Sequence, residues 1–210
     1  VGRIGWLAVN INANDVATFG VRPIFFSSCI LLPEDSTEET VRSICEQMDA
    51  AAKKIGVAVI GGHSEVTPGL NRPIVVGCSM GITENDRYVT SGGSKPGDLL
   101  ILTKGTGIEG TAILADEKRE ELRKKLDKSL LRSAEAFYEK ISVVEEAVVA
   151  FETGGVTAMH DPTEGGVAGG IHEMADAAGL GVRIFEEKIT VAPETSSICS
   201  YFEIDPFQLI

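Results

Sequence analysis

The sequence predicts an α+β protein of α/β type, built as two domains. Three observations carry this expectation. Helix-period and strand-period apolar patterns alternate from Ile4 to Ile82. A turn-dense stretch, Ser91-Gly92-Gly93-Ser94-Lys95-Pro96-Gly97, divides the chain into residues 1–90 and 91–210. On each side of it an apolar strand pattern runs into a polar burst with paired glycines: Gly61-Gly62-His63-Ser64-Glu65 in the first part, His160-Asp161-Pro162-Thr163-Glu164-Gly165-Gly166 in the second. With 210 residues, 43% of them hydrophobic, the chain can build a substantial core.

Ile4–Gly20 reads as the first helix, with Ile4, Leu7, Ala8 and Ile11 at three- and four-residue steps and Phe19 close to the same stripe. Asp15 lies four residues from Ile11 and seven from Ala8, so it is expected on the apolar side, where a carboxylate needs a partner or a cation. Asn14 or Asp15 as the cap of a helical turn is the alternative. Ile24–Leu32 is a strand. Ser36-Thr37-Glu38-Glu39 has the form of a capping box and opens a helix through Ile55, stopped by Gly56. Val57–Ile60 is a strand ending at Gly61-Gly62, where backbone comes close to something; an ordinary hairpin loop is the other reading. Pro73–Ile82 is the next strand.

Beyond the boundary, Asp98–Thr103 reads as a buried strand and Lys104-Gly105-Thr106-Gly107 as a loop before a helix around Ile108–Ala115. Glu117–Lys140 interleaves acids and bases as a solvated helix, and Ile141–Phe151 continues as an apolar one. Val156–Met159 is a short strand feeding the second polar burst. The helix that follows places Val167, Ile171, Met174 and Ala178 on one face. Gly165-Gly166 is expected to present free N–H groups at its positive end, a ready anion site. Asp161 beside such a site makes chemical sense with a cation between them. Thr163 as a plain N-cap is the alternative. Gly181–Phe185 and Lys188–Val191 read as short strands, and Glu194–Phe202 as a last helix.

A net charge of −12 argues against nucleic acid as a partner, because a polyphosphate backbone needs a basic face. Four scattered cysteines without ligand spacing fit a reducing, cytoplasmic setting. No stretch has the length of a membrane span or the form of a signal peptide. Val1 stands in mid-pattern and Phe207 near the end has nothing to cover it, so the chain reads as an excerpt, incomplete at both ends.

The segments NDVATFGVRP, GGHSEVTPGLNRPIVVG, KPGDLLILTKGTGIEGTAILA and MHDPTEGGVAGGIHEMA, in this order, resemble the AIR synthetase (PurM-like) superfamily of ATP-dependent enzymes. The resemblance covers nearly the whole chain and is strongest to its HypE hydrogenase-maturation and AIR-synthase-related branches. It implies an N-terminal sheet domain that dimerises, a C-terminal α/β domain, and ATP with Mg2+. By motif, Asp15 and Asp161 match metal-binding aspartates, expected to converge on one site. Asn14, Gly61, Gly62, His63 and Ser64 match nucleotide-contacting positions, as do Thr163, Gly165 and Gly166 in the second domain. His63 and Asp161 are the candidate catalytic residues. The implied reaction activates a carboxamide-like oxygen, on a small molecule or a carrier protein, by phosphoryl transfer from ATP. The alternatives are a nucleotide-binding regulatory or scaffold protein without turnover, and a selenophosphate- or purine-pathway synthetase. The departures are Glu164, where HypE proteins commonly carry a basic residue, and the absence here of their C-terminal cysteine tail. The strands Ile24–Leu32 and Pro73–Ile82 are too apolar for a sheet with one wet face, which predicts a homodimer joined through them.

Overall fold

The computed structural model describes residues 2–210, which form two compact units. The first comprises the chain up to Tyr88 together with Ser142–Gly154; the second comprises Val89–Ile141 and Gly155–Ile210. The return of residues 142–154 to the first unit was not legible in the turn pattern. It is fixed by polar side chains: the buried Asn14 accepts a hydrogen bond from the Val143 N–H through Oδ1 at 2.8 Å, and Arg22 pairs with Glu145 at 2.7 Å.

In the first unit, α1 (Ile4–Ala17) and α2 (Glu38–Ile55) cover one side of a three-stranded sheet ordered β2-β1-β3. The strands are β1 (Pro23–Leu32), β2 (Ala58–Val66) and β3 (Ile74–Gly81). β2 runs parallel to β1 and β3 antiparallel to it. A parallel neighbour needs a crossover, and α2 supplies it. The α2 boundaries follow from local chemistry: the Thr37 hydroxyl accepts from the Thr40 N–H, and Gly56 closes the helix in the left-handed conformation. Along β1, Phe26, Ser28, Ile30 and Leu32 are buried while their odd-numbered neighbours are more open. The α1 core contacts come from Trp6, Ala8, Val9, Ala13 and Ala17, so the buried side differs from the Ile4–Leu7–Ile11 stripe. Asp15 and Phe19 are exposed, which corrects the expectation that Asp15 stands on the apolar side.

β2 also departs from expectation. The strand does not stop at the glycines but continues through Gly61-Gly62-His63-Ser64-Glu65. Pairing steps from Phe26↔Val59 to Ser27↔Gly61, so Ile60 is the extra residue of a bulge. Gly62, at φ +157°, passes so close to the Ser28 carbonyl that a Cβ there would overlap its oxygen. The glycine pair thus lets the strand bulge and stay paired.

The second unit is helical where the structure forms regular elements: α3 (Ile108–Glu117), α4 (Arg119–Leu122), α5 (Lys128–Glu135), α7 (Gly166–Ala178) and α8 (Pro193–Phe202), with α6 (Val144–Thr153) belonging to the first unit. The expected strands Asp98–Thr103, Val156–Met159, Gly181–Phe185 and Lys188–Val191 form no ladder among the described residues. An apolar run becomes a strand only beside a neighbour that takes its backbone hydrogen bonds. Leu99 is 89% and Ile101 82% exposed, so the expected buried strand lies open. The single helix expected over Glu117–Lys140 is broken into α4, α5 and a 3-10 turn at Ala136–Lys140. Leu122 and Leu131 are nine residues apart, which would put them on opposite sides of one straight helix. The break turns both into one core with Ala115, Ala134 and Ile198. Among the described residues no helix is long and apolar enough to cross a membrane.

Candidate functional site

In the second unit, two loop-to-helix turns bring carboxylates together. The loop Lys104–Gly107 delivers Glu109 into the first turn of α3, and the turn after His160 delivers Asp161 ahead of α7. Glu109 is half-buried, and its carboxyl is pushed up to about 7, first by burial and then by the negative charge of Asp161. The sequence reading missed Glu109; the available signal was an acid in the first turn of a helix whose next six residues, Gly110–Ala115, are small or apolar. His160 is held by Glu173, Nε2 to Oε2 at 2.6 Å, which makes it a structural hydrogen-bonding residue.

The glycine turn has positive φ at both Gly165 (+82°) and Gly166 (+57°). A second reason for glycine is space, because a Cβ on Gly166 would meet the backbone of Phe207, Gln208 and Leu209. This C-terminal segment lies across the starts of two helices. The Ala168 N–H donates to the Phe207 carbonyl at 3.0 Å, and the Gly110 N–H donates to the Ile210 carbonyl at 2.7 Å. Gly166 donates to the Thr163 carbonyl and Gly169 to that of Gly165, both at 2.9 Å. The amides of Gly166, Ala168 and Gly169 are therefore committed within the chain, which corrects the expectation of a free N–H at Gly166. Thr163 is half-buried. The neighbouring Glu164 is exposed, its carboxyl held low first by its own backbone amide and then by the Thr163 hydroxyl.

In the first unit, Asn14 and Asp15 sit on α1, which packs on β3, while Gly61, Gly62, His63 and Ser64 lie on β2 beyond β1. His63 is exposed and its Nε2 lies 3.2 Å from Glu65 Oε2; Thr67 donates to the other Glu65 oxygen at 3.2 Å. These contacts hold the Glu65 carboxyl below its usual range, His63 contributing most. Asn14 is committed to Val143, and the Asp15 carbonyl accepts from the Thr18 hydroxyl at 2.9 Å. Among the described residues no three metal-ligating side chains of the His, Cys, Asp and Glu types cluster.

The folds and their glycine-turn sites define a protein of PurM-like class. The N-terminal domain profile of AIR synthase related proteins matches residues 1–83 and the C-terminal domain profile residues 95–207. The chain belongs to the AIR synthase related family. It is similar to a hydrogenase expression/formation protein of Methanocaldococcus jannaschii, 30% identical over 208 residues, which span 99% of this chain and 59% of that one. It is also similar to carbamoyl dehydratase HypE of Rhizobium leguminosarum, 29% identical over 212 residues, 99% of this chain and 58% of that one. The crystal structure of Escherichia coli HypE superimposes with a TM-score of 0.81 at 26% identity, over 98% of this chain and 61% of that one. A HypE crystal structure in complex with ATP shares the fold at TM-score 0.82 and 24% identity, over 98% of this chain and 59% of that one. The chain thus spans about three fifths of the length of these relatives.

Proposed function

We propose that this chain is the ATP-binding part of a HypE-like enzyme, which activates a carboxamide-like oxygen by phosphoryl transfer from ATP. The observation that carries the reading is the ordered set of motifs, Asn14-Asp15, GGHSE and HDPTEGG, on a fold matched end to end by HypE. Support for the substrate class comes from relatives named carbamoyl dehydratase, and for ATP from the HypE complex.

The donor set fits magnesium. Asp161 and Glu109 concentrate negative charge at the start of two helices, and Mg2+ is usually held by one or two carboxylates, with phosphate oxygens and waters completing the shell. Asp161 is the ligand that Glu109 accompanies, while Asp15 is assigned to the metal by motif alone. When bound, magnesium would neutralise phosphate charge as the γ-phosphoryl group moves. His63, exposed and oriented by Glu65, is the positioning or proton-transfer residue in this reading. Gly61 and Gly62 keep the backbone close and free of side chains. The turn Thr163–Gly166 contributes the positive pole of α7, its inner amides being already engaged.

Titration calorimetry with ATP and magnesium on the full-length protein tests the reading; absence of binding overturns it. Asp15→Asn and Asp161→Asn should each weaken magnesium-dependent ATP binding by tenfold or more, with little change in the nucleotide-free melting temperature. A variant that binds Mg-ATP like wild type removes that residue from the set. Steady-state phosphate release with amide or carbamoylated acceptors separates an enzyme from a nucleotide-binding scaffold.

The same reading includes a homodimer through the first-unit strands. Val59, Ile60 and Val66 on β2, with Ile74, Val76 and Met80 on β3, are large apolar side chains left exposed. An isologous contact through these strands would cover them. Sedimentation equilibrium should give twice the chain mass at micromolar concentration; a monomer that does not shift with concentration overturns it.

A further inference from the structure

The charge-rich stretch has no part in the proposed reaction, yet it holds seven of the chain's nineteen Lys and Arg residues within Lys118–Arg132. The break between α4 and α5 folds it around a cavity of about 530 Å³, lined by Arg119, Arg123, Lys128, Leu131, Arg132 and Glu135. That volume is in the range of small-molecule sites. Two of its cations are already matched: Arg119 with Glu135 at 2.9 Å, and Arg123 with Glu120 at 2.7 Å. Lys128 and Arg132 have no carboxylate partner among the described residues.

Their placement works against the protein's own stability. They stand four residues apart on one face of α5, where like charges repel. Lys128 opens the helix, so its charge sits at the positive pole, where the N-cap carboxylate of Asp127 is the nearest acid and the first turn holds no other. The Asp127 carboxylate caps the helix, accepting from the Ser129 N–H at 2.7 Å, and among the described residues makes no ion pair with Lys128 or Arg132. An anion in the cavity would relieve the repulsion between Lys128 and Arg132. The Arg132 guanidinium, a planar fork, suits phosphate oxygens, which it can meet two bonds at a time, and the Lys128 ammonium adds a second unmatched charge to the same lining. A long polyanion would meet the −12 net charge of the rest of the chain, whereas a small one feels only the local field within a Debye length.

We propose that this cavity is a second anion site, binding a small ligand that carries a di- or triphosphate group, distinct from the nucleotide site of the proposed reaction. Inorganic tripolyphosphate is the probe, followed in amide NMR spectra of the 210-residue chain at low ionic strength without magnesium. The expected result is a saturable shift of the amides of Arg119–Glu135, weakening steeply with salt. Lys128→Glu with Arg132→Glu should lower that affinity at least tenfold while Mg-ATP titration and the circular dichroism spectrum stay as in wild type. Shifts confined to Gly61–Glu65 or Asp161–Gly169, or shifts at Arg119–Glu135 that survive the double substitution, overturn the site. Citrate or a poly-glutamate peptide binding there as tightly as tripolyphosphate overturns the phosphate class. No shift at millimolar tripolyphosphate overturns the proposal altogether.

Discussion

Glu109→Gln is expected to raise the melting temperature of the second unit at pH 8 and to leave it nearly unchanged at pH 4. The sign follows from which state holds the proton. Glu109 ionises at about 7 in the folded protein against an ordinary 4.5, so between those values the folded state binds more protons than the unfolded one. Stability therefore falls as pH rises through this window, and the full cost is present above pH 7. At 1.36 kcal/mol per pH decade, the distance from 4.5 to about 7 corresponds to about 3 kcal/mol. Glutamine has the same shape and no charge to desolvate, so it escapes this cost. Calorimetry of the metal-free protein across pH 4–8 measures it. A wild-type profile flat over that range, or a variant without gain at pH 8, would show that Glu109 is solvated.

Phe26→Ala should have the largest effect on the first unit, about 3–5 kcal/mol. Phe26 is fully buried in the central strand, and Gly77 on β3 leaves the space its ring occupies. Truncation removes the apolar surface and leaves a void between sheet and α1 that the paired strands cannot close. The chain's one tryptophan, Trp6, is buried in α1, so its fluorescence reports on this unit. Urea unfolding followed at Trp6 should show the midpoint fall at unchanged slope. A loss below about 1 kcal/mol would mean the site collapses around the smaller side chain.

What could be read from the sequence was what short-range chemistry decides. α2 was legible end to end because Thr37 caps it, Gly56 terminates it and its apolar residues keep one face. β1 was legible because it is central, and its buried positions alternate. The GGHSE segment was legible as a polar burst after an apolar run but not as strand, since its pairing depends on a bulge opposite Phe26 and Ser27, residues more than thirty positions away. The run Asp98–Thr103 has a strand's composition and no ladder, because composition cannot supply a neighbour. Glu117–Lys140 has helical charge spacing throughout, but Leu122 and Leu131 are satisfied together only if the helix breaks. Of the candidate site, Asp161 and the glycine turns were read from motifs. Glu109 was not, because its meaning comes from Asp161, fifty-two residues on, and from burial that no local pattern encodes.

The segment Phe207–Ile210 across the starts of α3 and α7 also bears on the order of assembly. The Gly110 amide finds its acceptor at Ile210, one hundred residues later, and Ala168 finds its own at Phe207. During synthesis at about 5–20 residues per second, Gly110 has left the polymerisation centre some 5–20 s before Ile210 is made. Until then the α3 start is unfinished, with Glu109 and the nearby buried threonine Thr106 on a frayed turn. The first unit, whose sheet closes within residues 23–81, can meanwhile pair its strands. The GGHSE strand can therefore form earlier in synthesis than the α3 start that carries Glu109, which is completed only once Ile210 is in place.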